Sequence, residues 1–344
     1  MTHESRFDPW TSHQVITISD ESVGLRAVIA LDDLRLGPGF GGVRMRPYSD
    51  AYAAIDEAQR LARAMTFKHA LAELPYGGAK SVIVDDGRAR DADARRALFE
   101  RFGDAVAATG GRYIPGVDMF TTLADMAVIR SRGATVYCAD ADPSPWTARG
   151  VFAAMKAGAA GVLQASSLDG LVVAVQGVGS VGADLARLAA ADGARLVVAD
   201  IDPQRAATVA EEVGGSVASV EQVATTACDI FAPCAVARVI TPSVIPALSC
   251  RLIVGAANDT LDSPECDELL RERGITFVPD YVANAGGVIH EHARALAWAQ
   301  ADLERAVEAI GRRVTGLIEE AGPGGSLVGA ALERGRRRLR AAHD

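Results

Sequence analysis

Residues 172–202 read VVAVQGVGSVGADLARLAAADGARLVVADID, and this stretch constrains the fold more than any other. A β-branched apolar run stops at Gly177, apolar residues at helical spacing follow, and a second apolar run stops at Asp200. Two strands joined through one helix lie parallel, because an antiparallel return needs no crossover. Gly177, Gly179 and Gly182 form a G-x-G-x-x-G set at the strand-to-helix turn. The first permits the tight turn, the second lets backbone approach a pyrophosphate, and the third lets helix and strand pack closely. Asp200 is placed to accept hydrogen bonds from a ribose 2′-hydroxyl, and with Asp202 to repel a 2′-phosphate, so NAD is the expected cofactor; Arg205 is the nearby cation. The alternative is a structural glycine turn that has lost its ligand.

Beyond Asp200 the runs CDIFAPC, RLIVGAAND and GITFVPD continue the strand and helix alternation of a mostly parallel sheet. The first half is also α/β. HQVITISD and GLRAVIALDD read as paired strands, 51–74 as an amphipathic helix, SVIVDD as a strand, and DADARRALFERFGDAVAATG as a helix. The prolines of DPSPWTARGVF mark a boundary before a small-residue helix. With 344 residues the expected organisation is a first domain over 1–145 and a Rossmann domain over 146–299, with a C-terminal helical segment, 300–344, packing back on the first. A continuous helical run is expected over 293–321.

A net charge of -9 without a basic, aromatic-laced patch argues against nucleic acid and anionic membrane surfaces. No apolar stretch reaches membrane-span length and the first residues lack a signal-peptide pattern, so the expected setting is cytoplasmic. Cys138, Cys228, Cys234, Cys250 and Cys266 are scattered without C-x-x-C, and His290 and His292 are not spaced as H-x-x-x-H, so no metal site is expected. The basic C-terminal RGRRRLR reads as a solvated helix face.

GGAKS, residues 77–81, resembles a phosphate loop only superficially. Ala79 precedes Lys80 where a glycine is required, Leu74 occupies the place of the first glycine, and a strand follows instead of a helix. A lysine beside paired glycines at a strand mouth instead faces a cleft that a small ligand approaches closely. Lys68 lies near the apolar stripe of the preceding helix, where a cation needs a partner, and Asp118 follows Pro115 and Gly116. Two cations and a carboxylate beside a dinucleotide domain describe a site for a small anion that exchanges protons.

LGPGFGGVR, MTFKHALAELPYGGAKSVI, PGVDMFTT, DPSPWTARGVF, VQGVGSVG, DIFAPCA, VGAAND and VPDYVANAGGVI follow one another over nearly the whole chain. In that order they resemble the amino-acid dehydrogenases of the Glu/Leu/Phe/Val type, nearest the phenylalanine and leucine branch. The resemblance implies an N-terminal α/β substrate and oligomerisation domain, a Rossmann NAD-binding domain and a cleft between them, in a homo-oligomer, dimer or higher. It implies that Lys80 and Asp118 are catalytic, and that Lys68, Gly41, Gly42 and Asn258 bind substrate. Thr147, Cys234, Ala235 and Asn284 would join Gly177, Gly179, Gly182 and Asp200 around the cofactor.

The implied reaction is reversible: a hydrophobic L-amino acid (Phe/Leu/Val/Trp-like), NAD+ and water give the 2-oxo acid, ammonium and NADH. Lys80 would act neutral, depressed by burial and by Lys68. Ala79 replaces the usual third glycine and narrows the backbone approach; Phe40 is bulky for its place, Trp146 is unusual before Thr147, and Arg238 and Asp259 also depart from the pattern. Two other readings stay open. A non-catalytic regulatory relative predicts loss of Lys68, Lys80 or Asp118, and all three are present. A lyase or cyclase that retains NAD is separable only by turnover.

Overall fold

The computed structural model describes residues 12–88, 91–137 and 141–342; Cys138 lies outside them. The chain divides into two compact units, the first running to Asp142 and taking up the chain end from Gly335, the second spanning Pro143–Arg334.

In the first unit, β1 (Gln14–Asp20), β2 (Leu25–Leu31), β3 (Gly39–Arg46), β4 (Gly77–Val84) and β5 (Tyr113–Val117) form a sheet in the order β1-β2-β4-β3-β5. β3 runs parallel to both β4 and β5, while β1, β2 and β4 pair antiparallel. The helices are α1 (Ala51–Leu71), α2 (Ala92–Ala107) and α3 (Leu123–Ser131). Strand alternation assigns the two faces. Val28, Ala30 and Val82 pack on Ala54, Ala58 and Ala62 of α1, whereas Ile29, Val43, Ala79 and Ile83 pack on Phe99, Phe102, Met126 and Ile129 of α2 and α3.

α1 begins where the Asp50 carboxylate accepts from the Ala53 N–H at 2.8 Å. It ends at Leu71, short of the expected Leu74, because Glu73 takes a left-handed φ of 61° and the Leu74 N–H reaches back to the His69 carbonyl at 3.0 Å. Arg338 donates to the carbonyls of Ala70 (2.7 Å) and Leu74 (3.2 Å), binding the chain end to this helix terminus.

The second unit holds a parallel six-stranded sheet of β6 (Val172–Gln176), β7 (Arg195–Ala199), β8 (Ser216–Val217), β9 (Ile230–Pro233), β10 (Leu252–Ile253) and β11 (Thr276–Phe277), in the order β11-β10-β9-β6-β7-β8. This is the doubly wound order, with its switch point between β6 and β9. Its helices are α4 (Ser144–Gly158, prolonged by a wider turn over Ala159–Leu163), α5 (Ser180–Ala191), α6 (Pro203–Glu212), α7 (Glu265–Glu272), α8 (Asp280–Ala283), α9 (Gly286–Ala295) and α10 (Gln300–Ala321); α11 (Leu327–Ala341) passes from this unit into the first.

The continuous run expected over 293–321 is broken. Ala297 takes a φ of 51° and the Trp298 N–H bonds to the Ala293 carbonyl at 2.9 Å, the same closure that ends α1. α10 packs on α4 and α9 within the second unit, so of segment 300–344 only Gly335 onward groups with the first. Among the described residues no helix is long and apolar enough to cross a membrane.

Candidate active site

Lys80 lies on β4 and Asp118 follows β5, with β3 between them. The lysine reaches across β3 because position 42 has no side chain: a Cβ on Gly42 would stand 2.7 Å from the Asp118 Cβ and 3.1 Å from Lys80 Nζ. Lys80 Nζ donates to Asp118 Oδ2. The same oxygen accepts from Arg44 Nε at 3.3 Å, and Arg44 Nη1 donates to Glu57 Oε1 of α1 at 2.5 Å. Arg44 and Glu57 complete the charged cluster, yet nothing in the expected site named them. Their signal was the alternation of GGVRMR, which puts residue 44 on the same face as Gly42.

Burial disfavours a charge on Lys80 and lowers its proton affinity, Asp118 opposes this, and Arg44 adds to the lowering. Arg44 is thus a cation acting on Lys80 that the sequence did not point to. Burial alone would raise Asp118, but Lys80 and Arg44 outweigh it and hold the carboxyl well below the usual range. Thr121 Oγ1 accepts from the Asp118 N–H at 3.0 Å and donates to the Val43 carbonyl at 2.8 Å, tying the turn to β3.

Gly41 meets a steric demand of its own, since a Cβ there would fall 1.6 Å from the Ala79 carbonyl oxygen; its carbonyl accepts from Tyr113 at 3.0 Å. Ala79 does not narrow the approach to Lys80 as expected: the strand pleat turns its methyl to the α2 and α3 core. Lys68 is buried on α1. Phe40, on the Gly42 side of β3, stacks on His69 (5.3 Å between centroids) and meets the edges of Tyr76 and Tyr137, whose hydroxyls are 2.9 Å apart.

In the second unit, Gly177 has φ 90° and closes the turn between β6 and α5, and a Cβ there would lie 2.5 Å from that of Ala235. A Cβ on Gly182 would lie 1.9 Å from the Gly177 carbonyl oxygen, whereas one on Gly179, the N-cap of α5, would meet no described atom within 4 Å. Asp200 follows β7 with its carboxylate turned inward. It accepts from the Val178 N–H at 2.9 Å and the Asp202 N–H at 2.9 Å, and pairs with Arg205 at 3.1 Å. An open groove of about 780 Å³ beside the loop is lined by Val178, Gly179, Ser180, Asp202 and Arg205.

Cys234 follows β9, its N–H bonded to the Gln176 carbonyl at 2.7 Å, and burial pushes its thiol up to about 12. Asn284 Nδ2 donates to Asn258 Oδ1 at 2.9 Å and to the Ala256 carbonyl at 3.1 Å. Asn284 Oδ1 is buried without a donor among the described residues. Thr147 lies in the first turn of α4, against which Gly286 and Gly287 of α9 pack without side chains. Trp146 stacks on His290 at 5.9 Å, under Arg149. Arg238 and Asp259, separate departures in the sequence, pair with each other at 3.2 Å.

An open, side-chain-free helix N-terminus, an inward acid at the next strand end and an orphaned amide oxygen suit a dinucleotide with a terminal carboxamide. The fold and these sites define a two-unit α/β protein with a Rossmann-type sheet in one unit and a buried lysine–carboxylate pair in the other.

The family follows from comparison. Residues 12–134 match the model described as Glu/Leu/Phe/Val dehydrogenase, dimerisation domain, and residues 202–320 that of Glutamate/Leucine/Phenylalanine/Valine dehydrogenase. The chain is 42% identical to leucine dehydrogenase of Geobacillus stearothermophilus over 80% of its own length and 76% of that protein's. It is 36% identical to phenylalanine dehydrogenase of Lysinibacillus sphaericus over 83% and 78% of the two chains. The crystal structure of L-tryptophan dehydrogenase from Nostoc punctiforme superposes with a TM-score of 0.82 and 33% identity over 97% of both chains. This chain belongs to the Glu/Leu/Phe/Val dehydrogenase family.

Proposed function

We propose that this protein is an NAD-dependent amino-acid dehydrogenase that interconverts a hydrophobic L-amino acid with its 2-oxo acid and ammonium. The observation that carries the reading is the Lys80–Asp118 pair, buried and joined across the bare backbone of Gly42. NAD, when bound, supplies the acceptor for the hydride that leaves the substrate Cα.

Every other step belongs to the chain. Lys68 and the backbone at Gly41 and Gly42 hold the substrate carboxylate and Cα. Asp118, kept anionic by its two cationic neighbours, takes a proton from the substrate ammonium, so that the amine lone pair can form the iminium as hydride departs. Lys80, its proton affinity lowered by burial, accepts a proton from the water that attacks the iminium carbon. The carbinolamine then collapses to the 2-oxo acid as Asp118 returns its proton to nitrogen, which leaves as ammonia, and takes up the hydroxyl proton in its place; of the two protons then held by Lys80 and Asp118, one converts ammonia to ammonium and the other is released to solvent.

For the cofactor, Gly177, Gly179 and Gly182 would cradle the pyrophosphate, Asp200 the ribose, and Asn284 Oδ1 would accept from the carboxamide beside Thr147, Cys234 and Ala235. Asn258, bonded to Asn284, would reach the substrate. The expected setting is the cytoplasm. A homo-oligomer is expected through the first unit, which matches a domain described for dimerisation and whose β1 is an edge strand.

The test is NADH consumption across a panel of 2-oxo acids with ammonium. Oxidation with aliphatic or aromatic 2-oxo acids, dependent on ammonium and faster than with NADPH, is expected. No consumption with any acid overturns the reading, and turnover without ammonium replaces it with a different reaction.

A further inference from the structure

Four charged groups from β3, β4, the turn after β5 and α1 converge on the α1 side of the first sheet, and two of them, Arg44 and Glu57, have no step in the reaction. Arg44 on β3 spans Glu57 of α1 at 2.5 Å and Asp118 beyond β5 at 3.3 Å, while Lys80 on β4 shares the same Asp118 oxygen. The side chains of Arg44, Glu57, Lys80 and Asp118 are 10%, 10%, 8% and 16% exposed. We propose that Arg44, clamped by Glu57, is a positioning residue that holds Asp118 as an anion facing Lys80, so that the lysine and not the carboxylate gives up the shared proton. This rests on the dehydrogenase reading for its consequence in turnover, though not for its effect on Lys80.

In an isolated buried lysine–aspartate pair the carboxylate holds the ammonium against the cost of burial, so the lysine keeps the shared proton to higher pH. In that form Lys80 is no base. A guanidinium stays charged at any working pH, so it breaks the symmetry of the pair: it favours the Asp118 anion and repels an ammonium at position 80. The wider cluster agrees. Arg46 lies 3.7 Å from the second oxygen of Glu57, with its guanidinium over the Tyr48 ring. Two guanidiniums and two carboxylates balance, leaving the cluster uncharged when Lys80 is neutral. β2 contributes Val28 and Ala30 to this face, with Arg26 at its far end paired to Asp86; α1 contributes Glu57 and, further along, Lys68.

The chain has only three lysines, Lys68, Lys80 and Lys156, so the proton on Lys80 can be followed without turnover. Amine acetylation is measured against pH by peptide mass spectrometry in the full-length protein, with half-exposed Lys156 as internal control. In parallel, the acid limb of kcat/KM for amino-acid oxidation is recorded. Removing the cation in Arg44→Met should move the Lys80 labelling midpoint and that limb upward together by about one pH unit or more. Arg44→Lys should restore both most of the way.

The double variant Arg44→Met, Glu57→Gln removes the cation without stranding a carboxylate, and serves if the single variant fails to fold by circular dichroism. An unmoved Lys80 midpoint in any folded variant lacking Arg44, with activity lowered equally at all pH, overturns the proposal. A moved midpoint in a protein that oxidises no amino acid upholds the role of Arg44 and overturns the reaction instead.

Discussion

The two candidate sites are built from opposite materials. In the first unit the working groups are side chains, and glycine clears a path for them: bare Gly42 is what lets Lys80 meet Asp118. In the second unit the working groups are mostly backbone, and glycine is the site itself: Gly177 turns the chain, Gly182 admits the helix, and Gly179 leaves amides open. A side-chain site is governed by charge and should fail through chemistry while the fold persists. A backbone site is governed by shape and should fail through packing or ligand approach.

The largest effect that sharpens this contrast is expected at the charged site. Lys80→Ala and Asp118→Ala should each cost about 10³-fold or more in kcat while dinucleotide binding, followed by nucleotide fluorescence, is retained. Wild-type-like turnover in either variant would break the assignment. The sign of the pH dependence follows from the same pair. Lys80 is lowered by burial, so the unfolded chain binds its proton more readily than the folded one, and this contribution favours folding increasingly as pH rises through the interval between the two states. Asp118 is held low, so its contribution is full above the ordinary carboxylate range and is lost as pH falls toward its folded value.

The next effect separates two glycines three residues apart. In Gly182→Ala the new methyl would lie 1.9 Å from the Gly177 carbonyl oxygen, and backbone cannot yield as a flexible side chain can, so a loss of about 1–3 kcal/mol in unfolding free energy is expected. Gly179→Ala meets open space and should fold normally, with weaker dinucleotide binding as its defect. Denaturant unfolding beside a binding titration reads both. If the two variants behave alike, the loop is not the shape-governed site described above.

How much of this was legible in the chain depends on how locally each feature is encoded. The dinucleotide turn is written within a few residues, because left-handed backbone and close packing demand glycine at fixed offsets. Lys80 stood out because paired glycines precede it. Arg44 and Glu57 carry no such mark: each is an ordinary charged residue, and Arg44 meets Asp118 across 74 positions of sequence. The closures after α1 and α9 were missed for a related reason. They use Glu73 and Ala297 in left-handed backbone where glycine is the usual signal. Ala79 was expected to narrow the backbone approach, but neighbours on a strand point to opposite faces, so adjacency to Lys80 meant separation from it.

The smallest effect concerns a residue beside each site that bears a left-handed φ without being glycine: Phe120, two residues past Asp118, at 60°, and Asp259, next to Asn258, at 56°. Aspartate tolerates this conformation, and Asp259 gains a half-exposed ion pair with Arg238 and a backbone bond from its N–H to Asp280 Oδ2 at 2.5 Å. Phe120 has no comparable compensation through its side chain, which is 69% exposed, although its carbonyl accepts from Arg95 at 2.9 Å. Phe120→Gly should therefore raise stability by about 1 kcal/mol, strain relief exceeding the added freedom of the unfolded chain. Asp259→Gly should change it by less than about 0.5 kcal/mol, a surface pair being worth little. Midpoints of denaturant unfolding measure both. A stability loss in Phe120→Gly would mean that the ring is held by contacts worth more than its backbone strain, and that the turn after Asp118 is shaped by its side chain.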